Sequence, residues 1–216
     1  MRKQDIGGVW HSGIPSWAEL KKMARAGTIS QALSEGDLIP IRLANGEENE
    51  IRITHDQTGN MFFVFENCLD KPFSMNAGGW VKSEMRAYLN KEIAKQLPDD
   101  LLKSIEPISI EQEIPDETCV KSRDKLFLLS EEQVFGKSRL YSIPEKGVSQ
   151  LMVFKSSMEH RVKSRGGKPS WWRLRSPYSD SNASFVYVFS GGAVGYCYAN
   201  YSGGVVPGFC LIEPKK

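Results

Sequence analysis

Histidine is scarce in this 216-residue chain, and its three copies, His11, His55 and His160, stand far apart without a ligand-spaced partner. An H-E-x-x-H metal motif is absent, as are the glycine-rich phosphate cradles and the G-x-S-x-G nucleophile turn. His55-Asp56 offers half of a metal or base pair, but the plainer reading is a surface-polar loop dipeptide. None of the four cysteines, Cys68, Cys119, Cys197 and Cys210, belongs to a C-x-x-C pair, and their apolar or strand-like neighbours predict free, mostly buried thiols of a reducing compartment. No apolar run approaches the roughly 18 to 20 residues that cross a bilayer, so no membrane insertion is expected. The opening MRKQDIGGVWHSG has early basic residues but no apolar run after them. It predicts cytoplasmic synthesis without a signal peptide, with any place on a virion or cell surface reached by assembly. Excess charge is also lacking: 28 Lys and Arg against 26 Asp and Glu leave +2, too little to imply nucleic-acid binding. No catalytic constellation, metal site or cofactor site is expected.

What is present is enough apolar residue for a core, 40% of the chain, and no composition break that would cut it in two. The reading is one domain over residues 1–216, an N-terminal helical segment over 1–35 followed by the main fold over 36–212. Charge is segregated along it. Asp99 to Glu117 carries seven acidic residues against Lys103, and Lys155 to Arg175 carries seven basic residues against Glu159. Such segregation marks either a partner surface or, as the plainer reading, two solvated loops that face each other.

Ser16-Trp17-Ala18-Glu19 is a capping box, and Trp17, Leu20, Met23 and Ala24 at helical spacing predict a short helix stopped by Gly27. Leu38–Leu43 and Glu50–Ile53 alternate around Asn45-Gly46, a hairpin signal, and Met61–Phe65 is a buried strand. A helix is predicted over Trp80–Leu97, with Ser83 as N-cap, an apolar face of Met85, Tyr88, Leu89, Ile93 and Leu97, and Pro98 as its stop. The acidic stretch reads as a connector with one strand, Ile105–Ile110. Leu126–Leu129 predicts a strand and Ser130-Glu131-Glu132-Gln133 a second capping box, with Gly136 ending a short helix. Residues 136–170, punctuated by glycine and proline, read as a long, partly ordered loop.

The C-terminal stretch Ser170–Ile212 concentrates the aromatics. Only Arg173, Arg175 and Asp180 are charged in it. Phe185, Tyr187 and Phe189 alternate with Val186 and Val188, which puts the rings on one face of a strand. Tyr178, Asp180 and Asn182 precede that strand, and Tyr196, Tyr198, Asn200 and Tyr201 follow the Gly191-Gly192 turn. Tyrosine with small polar residues is the composition of antibody paratopes, because the ring gives large contact area at low entropic cost. These ten residues are the candidate ligand-binding face. Alternation sends Trp172 and Leu174 one way and Trp171, Arg173 and Arg175 the other, so one tryptophan is expected in the core, and Arg173 and Arg175 are expected to pair with carboxylates or carbonyls.

Four ordered motifs carry a resemblance: Ser83 to Asn90 (S-E-M-R-A-Y-L-N), Phe127 to Glu132 (F-L-L-S-E-E), Trp171 to Pro177 (W-W-R-L-R-S-P) and Gly204 to Pro207 (G-V-V-P). Over residues 36–212 the chain resembles a bacterial and prophage family known only as a domain of unknown function, whose pattern runs W-W-L-R-S-P and then G-V-R-P-A. It departs from that pattern at Arg173, an extra residue, at Val206 in place of arginine and at Gly208 in place of alanine. The ending is also similar to that of C-type-lectin-fold proteins, among them formylglycine-generating-type domains and retroelement-diversified variable proteins. The resemblance implies an α+β, C-type-lectin-like fold of short antiparallel strands and two or three helices. It implies a non-catalytic binding or display protein, a variable protein or a phage receptor-binding protein, whose partner is a protein or other macromolecule. Two alternatives stay open. One is a formylglycine-generating-type oxidase using Cys197 and Cys210, which lacks that family's flanking pattern and any local cation to activate a thiolate. The other is a structural virion or assembly protein that buries its aromatic face in a homo-oligomer. The Glu-Pro-Asn and Gln-Pro-Asp signatures of calcium-dependent lectins are absent.

Overall fold

The computed structural model describes residues 15–76, 78–115, 117–137 and 140–215, the side chains of residues 117 and 118 excepted. The expectations placed on residues 1–14, His11 among them, fall outside the described residues.

Helix α1 (Trp17–Ala26) starts as its capping box dictates. Ser16 Oγ accepts from the Glu19 amide at 3.3 Å, Glu19 Oε2 accepts from the Ser16 amide at 2.8 Å, and Gly27 closes the helix at φ 71°. The helix presents Trp17 edge-on to Phe63 and Phe209, at 5.7 and 5.8 Å between ring centres. Strands β1 (Leu38–Arg42) and β2 (Glu48–His55) form the hairpin around Asn45-Gly46, and β3 (Met61–Phe65), wholly buried, pairs with β2.

The helix expected over Trp80–Leu97 is interrupted. Ser83 is extended and separates α2 (Gly79–Lys82) from α3 (Glu84–Tyr88), because its hydroxyl serves both ends: it donates to the Trp80 carbonyl at 2.8 Å and accepts from the Arg86 amide at 3.1 Å. Beyond Tyr88 the run widens into a π turn (Leu89–Ile93) and tightens into a 3-10 turn (Ala94–Gln96) before Pro98. The apolar face still faces inward: Met85, Tyr88, Leu89, Ile93 and Leu97 are all buried.

The acidic stretch is more structured than a connector. It folds into α4 (Asp99–Ser104) and the hairpin β4 (Ile108–Ile114) and β5 (Glu117–Asp124). The alternation in β4 buries Ile108, Ile110 and Ile114, whereas polar β5 carries no apolar pattern and so leaves no trace in periodicity. Nor do the acidic residues face the Lys155–Arg175 stretch. Glu106 pairs with Lys21 at 2.9 Å, Glu111 with Lys121 at 3.1 Å and Glu113 with Lys146 at 3.2 Å.

Strand β6 (Phe127–Leu128) leads into α5 (Glu131–Phe135), capped by Ser130 as its sequence predicts. The expected long loop then corrects to α6 (Met152–Ser156), a 3-10 turn (Met158–Arg161) and a hairpin of β7 (Lys163–Arg165) and β8 (Lys168–Ser170) turning on Gly166-Gly167. Strands β9 (Trp172–Tyr178), β10 (Ser181–Val188), β11 (Val194–Tyr198) and β12 (Pro207–Phe209) complete the chain.

The architecture is α+β with antiparallel sheets. A five-stranded sheet runs β1-β2-β3-β12-β6 and a three-stranded sheet β11-β10-β9, beside the β4-β5 and β7-β8 hairpins. The last strand is thus an inner one. Pro207 is tolerated there as the first residue of β12, paired only on the β6 side, since a proline cannot donate to a ladder. One apolar cluster extends from Trp17 to Leu211. The two sheets are joined where the Arg175 amide donates to the Leu129 carbonyl and the Arg173 amide to the Gly204 carbonyl, each at 2.9 Å. The join needs glycine: a Cβ on Gly204 would stand 2.6 Å from both Cys68 Sγ and the Trp171 carbonyl oxygen.

Candidate functional site

The three-stranded sheet positions the candidate residues, and its inner frame is set by two buried arginines on β9. Arg175 forks onto Glu145, with Nη2 to Oε2 at 2.5 Å and Nε to Oε1 at 3.0 Å, while Nη1 donates to the Leu128 carbonyl at 2.6 Å and to Gln133 Oε1 at 2.8 Å. Arg173 has no carboxylate partner among the described residues. Its Nη2 donates to the carbonyls of Tyr198 (2.7 Å) and Tyr201 (2.6 Å), its guanidinium lies 5.1 Å from the Trp171 ring centre, and Nε and Nη1 lack a hydrogen-bond partner. Burial accordingly lowers its pKa. Both arginines therefore hold backbone in place, and one of them fixes the end of β11.

Register decides which rings share a face. Val186 lies opposite Tyr196 and Ser184 opposite Tyr198, whereas Tyr187 lies opposite Gly195 and Phe185 opposite Cys197. Directly opposed residues of an antiparallel pair project to the same side. Tyr196 and Tyr198 therefore stand on the side of Val186 and Val188, and Tyr187 on the other. The ten residues form two faces that meet at β11.

On the first face Tyr178 stacks on Tyr196, with ring centres 4.0 Å apart and planes 4° from parallel. Tyr178 Oη donates to Asp180 Oδ2 at 3.0 Å, and that carboxylate, with Tyr196 after it, pushes the phenol pKa up to about 12. Asp180 is exposed, and half-buried Asn182 accepts from the Gly78 amide through its carbonyl at 3.2 Å. Tyr198 is 63% exposed and meets Tyr201, 55% exposed, edge-on at 6.2 Å; Asn200 in the same turn is exposed. On the second face Tyr187 is held between Trp171 at 5.2 Å and Phe189 at 4.7 Å, and Phe189 is 46% exposed.

Phe185 is a correction: it is fully buried and belongs to the core. The unbroken β10-β11 register puts Phe185 on the same side as Tyr187, as alternation predicts; what differs is the cover, since Phe185 packs into the core cluster while Tyr187 stays half-buried. Sequence reasoning missed Tyr141, which is exposed with its ring 5.5 Å from Tyr196, and Trp171 as a partner of Tyr187. Tyr141 sits in an irregular segment whose pattern carries no signal.

Cys197 and Cys210 are both free thiols. Cys210 follows β12 and is fully buried, with its pKa pushed up by burial and by Asp56; Cys197 lies on β11, and burial raises its pKa more than the Arg173 guanidinium lowers it. Cys68 is pushed up to about 11, again by burial. Among the described residues no group of three or more His, Cys, Asp or Glu stands together to hold a metal ion, and no helix is long and apolar enough to cross a membrane. A shallow cleft of about 60 Å³ lies elsewhere, lined among others by Arg175, Glu145 and Gln133, and there the Arg175 guanidinium is already bonded to both of the other two.

Fold and site together define an α+β domain that displays aromatic side chains on both sides of one sheet edge. The model of the DUF6273 family, a domain of unknown function, matches residues 58–213, more than half of the chain, and the chain belongs to that family. No curated protein and no solved structure matches it.

Proposed function

We propose that the chain is a non-catalytic binding protein whose C-terminal aromatic surface contacts a protein or another macromolecule. The observation that carries this reading is the exposure of Phe189, Tyr196, Tyr198 and Tyr201 in a stretch without a charged residue from Ser181 to Ile212. Rings left in water cost apolar hydration, and rigid tyrosines recover it when a partner covers them. Such anchors each contribute about 2 kcal/mol or more at an interface centre. The raised pKa values of Cys197 and Cys210 favour binding over thiolate chemistry.

In its finer form the reading is a C-type-lectin-like display domain, a retroelement-diversified variable protein or a phage receptor-binding protein. A reverse-transcriptase gene beside a near-copy of the C-terminal coding segment supports diversification, and a locus without them removes it. The binding reading is tested by panning a displayed protein library on the immobilised chain and repeating the measurement with Tyr196, Tyr198 and Tyr201 replaced by alanine. Retained melting behaviour with lost binding is the expected outcome. Unfolding of that variant would instead assign the three rings to the core.

A further inference from the structure

We propose that β11 is an acceptor edge to which a partner adds an extended, uncharged peptide segment as a further strand. The proposal rests on the binding reading above and specifies its partner. The Ala199 amide donates to the Ala183 carbonyl at 2.8 Å and the Phe189 amide to the Ala193 carbonyl at 2.7 Å. With the β10-β11 register, these bonds make 183/199, 185/197, 187/195 and 189/193 the hydrogen-bonded pairs. The backbone N–H and C=O groups of Val194, Tyr196 and Tyr198 therefore point away from β10. Because β11 ends its sheet, they point to an edge that no strand among the described residues pairs with.

No partner meets the Val194 and Tyr196 backbone groups among the described residues. The Tyr198 carbonyl accepts from Arg173 Nη2 at 2.7 Å and from the Tyr201 amide at 3.3 Å, which closes the edge at that end. Edge strands are ordinarily guarded by charge, proline or a bulge. Val194-Gly195-Tyr196-Cys197-Tyr198 has no charge and no proline, and its pairing with β10 runs without a shift.

The two faces then set the chemistry of the added strand. Its residues beside Tyr196 and Tyr198 pack on exposed rings. On the other side Gly195 offers no side chain, and Phe189 closes over it so tightly that a Cβ there would stand 2.7 Å from the ring. Alternation of an apolar residue with a small one fits this edge. A five-residue strand spans about 17 Å, and with a sheet layer about 10 Å thick its edge offers on the order of 200 Å², well short of the roughly 800 Å² per partner that a stable complex of folded proteins buries. A linear segment therefore fits better than a second copy of this chain.

The test pans a library of random linear peptides on the whole chain and follows amide hydrogen exchange with a selected synthetic peptide. The Val194 and Tyr196 amides, fast in the free protein, are expected to slow about tenfold or more at saturation, while those of Gly195 and Cys197 are protected throughout. Val194→Pro removes an outward N–H and no bond to β10, though its half-buried side chain also gives up core packing; at a temperature where the variant still shows its cooperative melt, it should weaken peptide binding about tenfold, the effect of one or two hydrogen bonds. A peptide that binds without slowing those amides sits on the rings alone; it overturns the added strand and leaves the binding reading intact. Enrichment of no peptide overturns the proposal as well. So does protection of the Val194 and Tyr196 amides without peptide together with a dimer in sedimentation, which would make a second copy the occupant.

Discussion

Strands β9 and β11 are the two outer strands of one three-stranded sheet, and their burial runs opposite to their polarity. β9 carries two arginines, and its first six residues are buried; β11 carries no charge, and none of its residues is buried. The difference lies beyond each strand. On the outer side of β9 the carbonyls of Leu129 and Gly204 take its amides, Glu145 and Gln133 take the Arg175 guanidinium, and that of Arg173 reaches the carbonyls of Tyr198, at the end of β11, and Tyr201. On the outer side of β11 the described residues place no strand. A charged side chain is buried when the fold supplies its partners, and an aromatic one stays in water when the fold supplies no cover.

The sharpest way to break this contrast is to remove the partner logic of β9. Arg175→Met leaves Glu145 buried and unpaired and should cost about 3–5 kcal/mol in urea unfolding. Arg175→Met combined with Glu145→Met should recover most of that loss, and a double variant no better than the single one would show the pair to be incidental. Arg173→Met should cost less, about 1–2 kcal/mol, because it gives up two carbonyl bonds and frees two nitrogens that have no partner. Gly204→Ala tests the join between the sheets: its Cβ meets Cys68 Sγ and the Trp171 carbonyl oxygen, and about 1–3 kcal/mol of destabilisation is expected, read from the same unfolding curves.

Tyr178 gives a titration that sharpens the contrast on the aromatic side. Its pKa is pushed up to about 12 by the hydrogen bond it gives Asp180, against about 10 for an unfolded tyrosine. The folded state therefore favours the neutral phenol. That contribution is fully present below pH about 10 and is lost as pH rises through about 12. Asp180→Asn should bring the phenolate absorbance transition of Tyr178 back toward the ordinary range, and an unmoved transition would assign the shift elsewhere. The smallest effect belongs to the most exposed ring. Tyr198→Ala should change stability by less than about 0.5 kcal/mol in thermal melting.

Local signals were legible because they are made by neighbours in the chain. Both capping boxes, the Asn45-Gly46 hairpin, the buried Met61–Phe65 strand and the inward face of Met85 to Leu97 all form as the residue pattern predicts. What failed had no local signature. β5 is a polar strand recognised only through β4, Ser83 splits a helix because its hydroxyl bonds on both sides, and the β7-β8 hairpin sits inside what reads as loop. At the site, composition singled out the tyrosines, of which Tyr196, Tyr198 and Tyr201 are exposed, yet Phe185 went to the core and Tyr141 was overlooked.

The sequence by itself determined that this chain has an aromatic, nearly uncharged C-terminal stretch, two glycine turns to fold it and no catalytic motif. Tertiary structure alone decided that the tyrosines divide between two faces, that Arg173 and Arg175 become frame and that no strand among the described residues pairs with the outer edge of β11. The reason is that side-chain type and spacing are properties of the chain, whereas the face a strand residue occupies depends on register. Whether that face is covered depends on segments distant in sequence that the local pattern does not encode.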